Sequence, residues 1–217
     1  MSSRSDAFSG ARDTTEKLDE LTRSILACRI CLETPRGKAL PHTPRPVLRA
    51  SATARIAIVG QAPGTRVHAS GRPFTDPSGD RLRDWMGVTS DEFYDDRRVA
   101  IVPMGFCFPG LDKTGGDLPP RKECAPAWHA PLFALMPQLE LLLLVGAYAQ
   151  HWHWPASRTQ SVGETVATYA DLLEGDGQRR YFPLPHPSWR NTAWIRAHPW
   201  FAADVLPRLK SEVRALL

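Results

Sequence analysis

Four short runs of the chain are apolar at nearly every position, the pattern of strands buried on both faces of a sheet. They are ARIAIVG (54–60), VAIVPMG (99–105), ELLLLVG (140–146) and RRYFPLP (179–185). The first ends on glycine, as parallel strands do before a helix, and the others repeat the theme. Between them the periodicity becomes helical, over 79–87, about 121–136, 147–153 and 163–173, with a last helix over 199–216. Upstream, Leu18, Leu21, Ile25 and Cys28 recur at helical spacing behind a capping-box-like start at Asp13 and Glu16. The first cysteine therefore falls at a helix end. The segment 32–50, with prolines at 35, 41, 44 and 46, reads as a surface loop. Strands alternating with helices predict an α/β fold, a doubly wound parallel sheet with helices on both faces. Residues 1–12, rich in Ser, Arg and Asp, read as a disordered tail, leaving 13–217 as a single domain without internal repeats.

Composition narrows this only a little. A chain of 217 residues with 42% hydrophobic content is long enough for one well-buried core. A net charge of +4 and a pI of about 9.0 suit an acidic partner such as nucleic acid, and equally suit many proteins without one. The N-terminus lacks the apolar core of a secretory signal, and the longest apolar run, Leu141 to Tyr148, is too short to cross a bilayer. These features read as a soluble cytoplasmic protein with no membrane partner, acting as a monomer. In a reducing compartment the four cysteines are not expected to form a disulfide framework. Cys28 and Cys31 form C-x2-C, and Cys107 and Cys124 enclose a stretch rich in Gly and Pro. Four thiolates at such spacing can hold zinc or an iron-sulfur cluster, and spacing does not choose between them; structural thiols are the plainer reading.

In a doubly wound sheet, binding sites gather beyond the carboxyl ends of the strands, and the unusual residues fall there. After the first strand comes GQAPG (60–64), whose glycines allow a tight turn with exposed backbone amides near Gln61 and Ala62. Phe74, in a Gly- and Pro-rich loop, suits either a stacking platform for a planar ligand or a core anchor. Asp76, followed by Pro77, is a good helix N-cap and also a candidate carboxylate for orienting water or balancing a developing cation. MGFC after the second strand brings Met104 and Gly105 to the same edge. After the fourth strand, His186 lies between Pro185 and Pro187, so its imidazole starts from a nearly fixed place. Ser188 and Asn191 can donate to phosphate oxygens, and Arg190 can bind phosphate or enter a groove. Trp152, Trp154, Trp194 and Trp200 read as packing residues.

Taken in order, the cysteine pair 28/31, GQAPG (60–64), GRPF (71–74) with SGD (78–80), the cysteine pair 107/124 and HPSWRN (186–191) resemble the uracil-DNA glycosylase superfamily. The likeness is to its iron-sulfur branches and spans residues 18 to 205. It implies a three-layer α/β/α sandwich with a central four-stranded parallel sheet and a [4Fe-4S] cluster on Cys28, Cys31, Cys107 and Cys124 that orders loops near DNA. It implies hydrolytic excision of a flipped base, usually uracil, from single- or double-stranded DNA, the first step of base excision repair. In that reading Phe74 stacks on the base, while Gln61 and Ala62 contact it and position water. Met104 and Gly105 complete the base site. His186 donates to the leaving base; the HPS backbone and Ser188 hold phosphate, and Trp189 with Arg190 press into the duplex.

Two departures stand out. Pro103 occupies the place where several branches carry an edge-reading asparagine, and Gln61 and Ala62 stand where others place a water-activating acid. The broad-specificity iron-sulfur type lacks both and carries its carboxylate before the S-G pair, where Asp76 matches. Other deaminated bases are therefore candidates beside uracil. No lysine sits in a matching motif position, so strand cleavage is not expected. Two other readings remain, an iron-sulfur damage-binding protein with little turnover and a zinc-stabilised hydrolase of free nucleotides.

Overall fold

The computed structural model describes residues 3–174 and 179–217. The four apolar runs become β1 (Ile56–Val59), β2 (Val99–Ile101), β3 (Leu141–Val145) and β4 (Arg180–Leu184). They form one parallel sheet in the order β2-β1-β3-β4. Because side chains alternate across a strand, the runs feed two cores. Ile56, Ile58, Ile101, Leu143 and Phe182 pack with residues of the helices Pro77–Met86 and Leu206–Leu216. Ala57, Val59, Ala100, Leu142 and Leu144 pack on the opposite face with the helices Ser3–Leu26, Cys124–Ala134 and Ala147–His153. The architecture is the expected three-layer α/β/α sandwich. After β2 the chain crosses β1 to add β3 on its far side, which opens a crevice at the carboxyl ends of β1 and β3.

Several local elements differ from the sequence reading. Residues 1 and 2 lie outside the described residues, but from Ser3 the chain is helical where a disordered tail was expected. Asp13 does not cap this helix; it lies inside it and pairs with Lys17 at 2.6 Å. Leu18 and Ile25 are buried, and once that end is docked each further upstream turn adds hydrogen bonds without a new nucleation cost. The short helices Ile30–Glu33, Thr65–Ser70, Ser90–Tyr94 and Thr192–Ala197 are additions. Helix 163–173 is divided into Val162–Ala167 and Tyr169–Leu173.

One buried polar residue ties the second core to the strand ends. His129 is 2% exposed, and its Nε2 lies 3.0 Å from the Pro103 carbonyl oxygen. A carbonyl only accepts, so Nε2 carries the proton and the ring serves as a neutral donor. Burial pushes the His129 pKa down to about 4, and burial together with His129 pushes that of His153 to about 3. The unfolded chain takes up these protons near the ordinary histidine value, so acid favours unfolding. Between pH 6.5 and 4, His129 alone should cost about 3 kcal/mol of stability, read as a falling urea midpoint. His129→Gln keeps a donor for Pro103 and cannot charge, so it should flatten part of that dependence.

Candidate active site

At the carboxyl ends of the strands the loops enclose a cleft of about 540 Å³, lined among others by Gln61, Ala62, Phe74, Asp76, His186, Ser188, Trp189, Arg190 and Asn191. Residues from three separated motifs therefore meet in one place. Met104 and Gly105 do not join them. The β1–β2 pairing runs on past the strands, with the Met104 N–H donating to the Gly60 carbonyl and Gly105 N–H to that of Gln61, each at 2.9 Å. Alternation then sends Met104 into the second core with Ala100 and Val102, while Ile101 and Pro103 face the cleft. The two residues brace the GQAPG turn from behind.

Phe74 owes its position to an unusual backbone. It is the one non-glycine residue with positive φ (55°) among the described residues, a conformation costing about 1–2 kcal/mol. Tyr94 donates its hydroxyl to the carbonyls of Pro73 (2.8 Å) and Phe74 (3.1 Å), and Arg83 donates to Phe74 at 3.3 Å. The Phe74 carbonyl occupies the space where a side chain on residue 79 would stand; a Cβ on Gly79 would also lie 2.7 Å from the Phe74 carbonyl carbon and 2.8 Å from its Cβ. The half-buried ring packs edge-on against Phe93, at 5.8 Å between centroids. Its tip lies 3.5 Å from where a Gly60 Cβ would be. The ring is thus anchored to the core, as one expectation had it, and also lines the cleft.

Asp76 likewise holds both of its expected positions. It caps the helix Pro77–Met86, accepting from Gly79 N–H (3.3 Å) and from the Ser78 hydroxyl (2.7 Å), and it lines the cleft. Its charge draws the His186 pKa up, but burial is the larger effect and holds it below the ordinary value. The imidazole is therefore neutral at pH 7 and can offer one N–H. Its backbone is fixed beyond the two prolines, because Asn191 donates its side-chain amide to the His186 carbonyl at 2.7 Å. That bond uses one N–H of the amide expected to face phosphate. Gly146, just after β3, turns through a positive φ of 85°, and a Cβ there would lie in ordinary contact with Gln61 Nε2 (3.6 Å) and His186 Cβ (3.7 Å).

The motifs did not point to Arg81. It projects into the cleft from the helix capped by Asp76 and donates to the Ser188 carbonyl (2.9 Å) and the Thr192 hydroxyl (3.3 Å). It locks the Asp76 helix to the His186 loop, and its only sequence signal was its place five residues after Asp76. At the rim, Trp189 is 77% exposed and Arg190 lies 5.9 Å from its ring centroid.

Away from the cleft, Cys28, Cys31, Cys107 and Cys124 are free thiols that line one small cavity with Ile25, Pro44, Pro46 and Phe106. Burial, reinforced by the neighbouring sulfurs, pushes Cys107 and Cys124 up to about 12. The Phe106 N–H donates to Cys124 Sγ at 3.3 Å, and the Arg45 backbone N–H donates to Cys107. Four convergent sulfurs with amide donors have the chemistry of a thiolate-ligated cationic group. Among the described residues, no group of three or more His, Cys, Asp or Glu side chains is arranged to hold a metal ion.

The class the fold and site define is an α/β domain with a parallel sheet and, at its carboxyl ends, a cleft holding an aromatic ring, a carboxylate and a neutral imidazole. Residues 49–210 match the family model of the uracil DNA glycosylase superfamily, and the chain belongs to that family. The function class that comes with it is a glycosylase acting on DNA. Among solved structures, a candidate uracil DNA glycosylase from Methanosarcina acetivorans is similar at 16% identity and a TM-score of 0.44, covering 77% of this chain and 93% of that one. SMUG2 of Pedobacter heparinus is similar at 13% identity and a TM-score of 0.39, covering 75% and 74%. Among the described residues no helix is long and apolar enough to cross a membrane.

The Phe74–Gly79 contact yields a direct test. Gly79→Ala must displace backbone, and its urea midpoint should fall by the equivalent of about 3 kcal/mol, with Phe74 losing its place over Gly60.

Proposed function

We propose that this protein excises uracil, and other deaminated bases, from DNA by hydrolysing the N-glycosidic bond without cutting the strand. The observation that carries this reading is the meeting of Phe74, Asp76 and a neutral, backbone-locked His186 in one cleft. A base flipped from the duplex would stack on Phe74, with the Gln61 and Ala62 backbone along its edge. As the bond between the base nitrogen and the sugar carbon C1′ lengthens, negative charge gathers on the base and positive charge on the sugar. The His186 N–H would stabilise the first and the Asp76 carboxylate the second. A neutral imidazole suits this task, since a donor fixed in advance needs no rearrangement at the moment of bond breaking. Ser188 and Arg190 would hold phosphates, and Trp189 would fill the gap left in the duplex. No lysine lines the cleft among the described residues, so no Schiff base forms and the strand stays intact.

Cys28, Cys31, Cys107 and Cys124 would hold a [4Fe-4S] cluster, supported by their shared cavity and the two amide donors. Such a cluster would supply a rigid, thiolate-bound anchor for the loops around it rather than a group that takes part in bond breaking. Pro103 in the cleft wall supplies no edge-reading amide, which favours a tolerant base pocket and keeps alive a second reading as a damage-binding protein.

Purified protein given an oligonucleotide with a single uracil should leave an alkali-labile abasic site; tight retention without product would favour the binder. His186→Ala should lower the single-turnover rate about 100-fold or more while changing DNA affinity only a few-fold. Equal losses in both would contradict the donor role. Protein purified without oxygen should carry iron and sulfide and show broad visible absorbance, both lost in Cys31→Ser; colourless protein containing zinc would contradict the cluster.

A further inference from the structure

Asp117 lines the same cleft as Phe74, Asp76 and His186, yet it comes from none of the motifs that supply them. It sits on the connection between β2 and the helix Cys124–Ala134, a segment whose shape is fixed locally. There Asp112 Oδ1 accepts from the Thr114 N–H (2.7 Å), the Thr114 hydroxyl (2.7 Å) and the Gly116 N–H (2.9 Å). Leu111 pairs with Asp117 across that turn. The Asp117 carboxylate is thereby carried to the GQAPG turn, with Oδ2 3.2 Å from where a Gly64 side chain would begin. A side chain at residue 64 would crowd the carboxylate, and glycine there leaves it room.

The two cleft carboxylates differ in what they already bind. Both Asp76 oxygens accept hydrogen bonds, from Ser78 and Gly79. The charged groups facing Asp117 are Arg190 from the His186 loop, Asp76 from the helix cap and Asp112 from its own turn. Asp117 as a residue is exposed, yet partial burial of its carboxylate is the largest influence and raises its pKa; Arg190 opposes this, and Asp76 and Asp112 add to it. A carboxylate that carries its charge with little help is the better proton acceptor. Two carboxylates with such unequal surroundings divide naturally into a fixed charge and a base.

We propose that Asp117 is a second catalytic carboxylate of this cleft, the base that takes a proton from the attacking water while Asp76 remains as the fixed charge beside the sugar. This rests on the glycosylase reading. In the step, a water oxygen bonds to C1′ as the bond from C1′ to the base nitrogen breaks. The bonding pair leaves with the base, whose negative charge the His186 N–H stabilises. One water proton passes to Asp117 and from there, through solvent, to the released base.

The test is single-turnover excision of uracil from an oligonucleotide by wild type, Asp117→Asn and Asp117→Ser, each across pH. Binding is measured in parallel to a duplex carrying the non-hydrolysable 2′-fluoro analogue. Both variants should lose about 100-fold in rate with affinity changed less than about threefold, and the acidic limb of the wild-type profile should disappear. An active wild type whose variants keep their rate within about threefold, or keep the acidic limb, overturns the proposal alone. A wild type that releases no base overturns the glycosylase reading and this proposal with it.

Discussion

The side chain that Gly79 lacks would stand where the Phe74 carbonyl is, and much of the cleft follows from that contact. The contact lets the chain turn through a left-handed residue at Phe74 and enter a helix within three residues. The turn aims the aromatic ring across Gly60 and leaves Asp76 at the helix cap, facing the cleft. The same helix then carries Arg81 to the Ser188 carbonyl and so joins the Phe74 turn to the loop that bears His186. A backbone conformation that costs energy is kept by Tyr94 and Arg83, which hold the same carbonyl from the other side. Strain concentrated this way gives position without flexibility, which a site that stabilises transient charge requires.

His186 shows the electrostatic side of the same economy. Burial keeps its ring neutral, and Asp76 works against burial without overcoming it. A charged imidazole would attract DNA phosphates and stabilise ground and transition states alike, whereas a neutral N–H gains mainly when the base becomes anionic. The exposed rim carries a permanent cation instead, Arg190 beside Trp189. The cleft is thus graded, from a half-buried imidazole near the strand ends to exposed charged and aromatic groups at the rim.

The four strands were legible because all but the start of β4 is buried, so the chain spells them as unbroken apolar runs. The helix Ala147–His153 was read with its observed bounds. Gln61, Ala62, Phe74, Asp76 and the HPSWRN residues were legible because glycine and proline fix the turns that present them. Met104 and Gly105 were misplaced even though period-two alternation from Ala100 through Val102 already sends Met104 to the core. Arg81 and Asp117 were not legible. Each reaches the cleft through a contact with a distant segment, Ser188 in one case and the Gly64 turn in the other, and nothing in their own neighbourhoods marks that meeting. Of the short helices missed, Ser90–Tyr94 did carry a visible signal, the capping box of Thr89 and Glu92.

The central claim is that a neutral, backbone-locked His186 donates to a base stacked on Phe74. A crystal structure with uracil and abasic DNA tests it most directly. One His186 ring nitrogen should lie about 3 Å from a uracil carbonyl oxygen, with the base stacked face-on against Phe74. A base seated elsewhere, with that nitrogen out of reach and the Phe74 ring turned into the core, would contradict the claim.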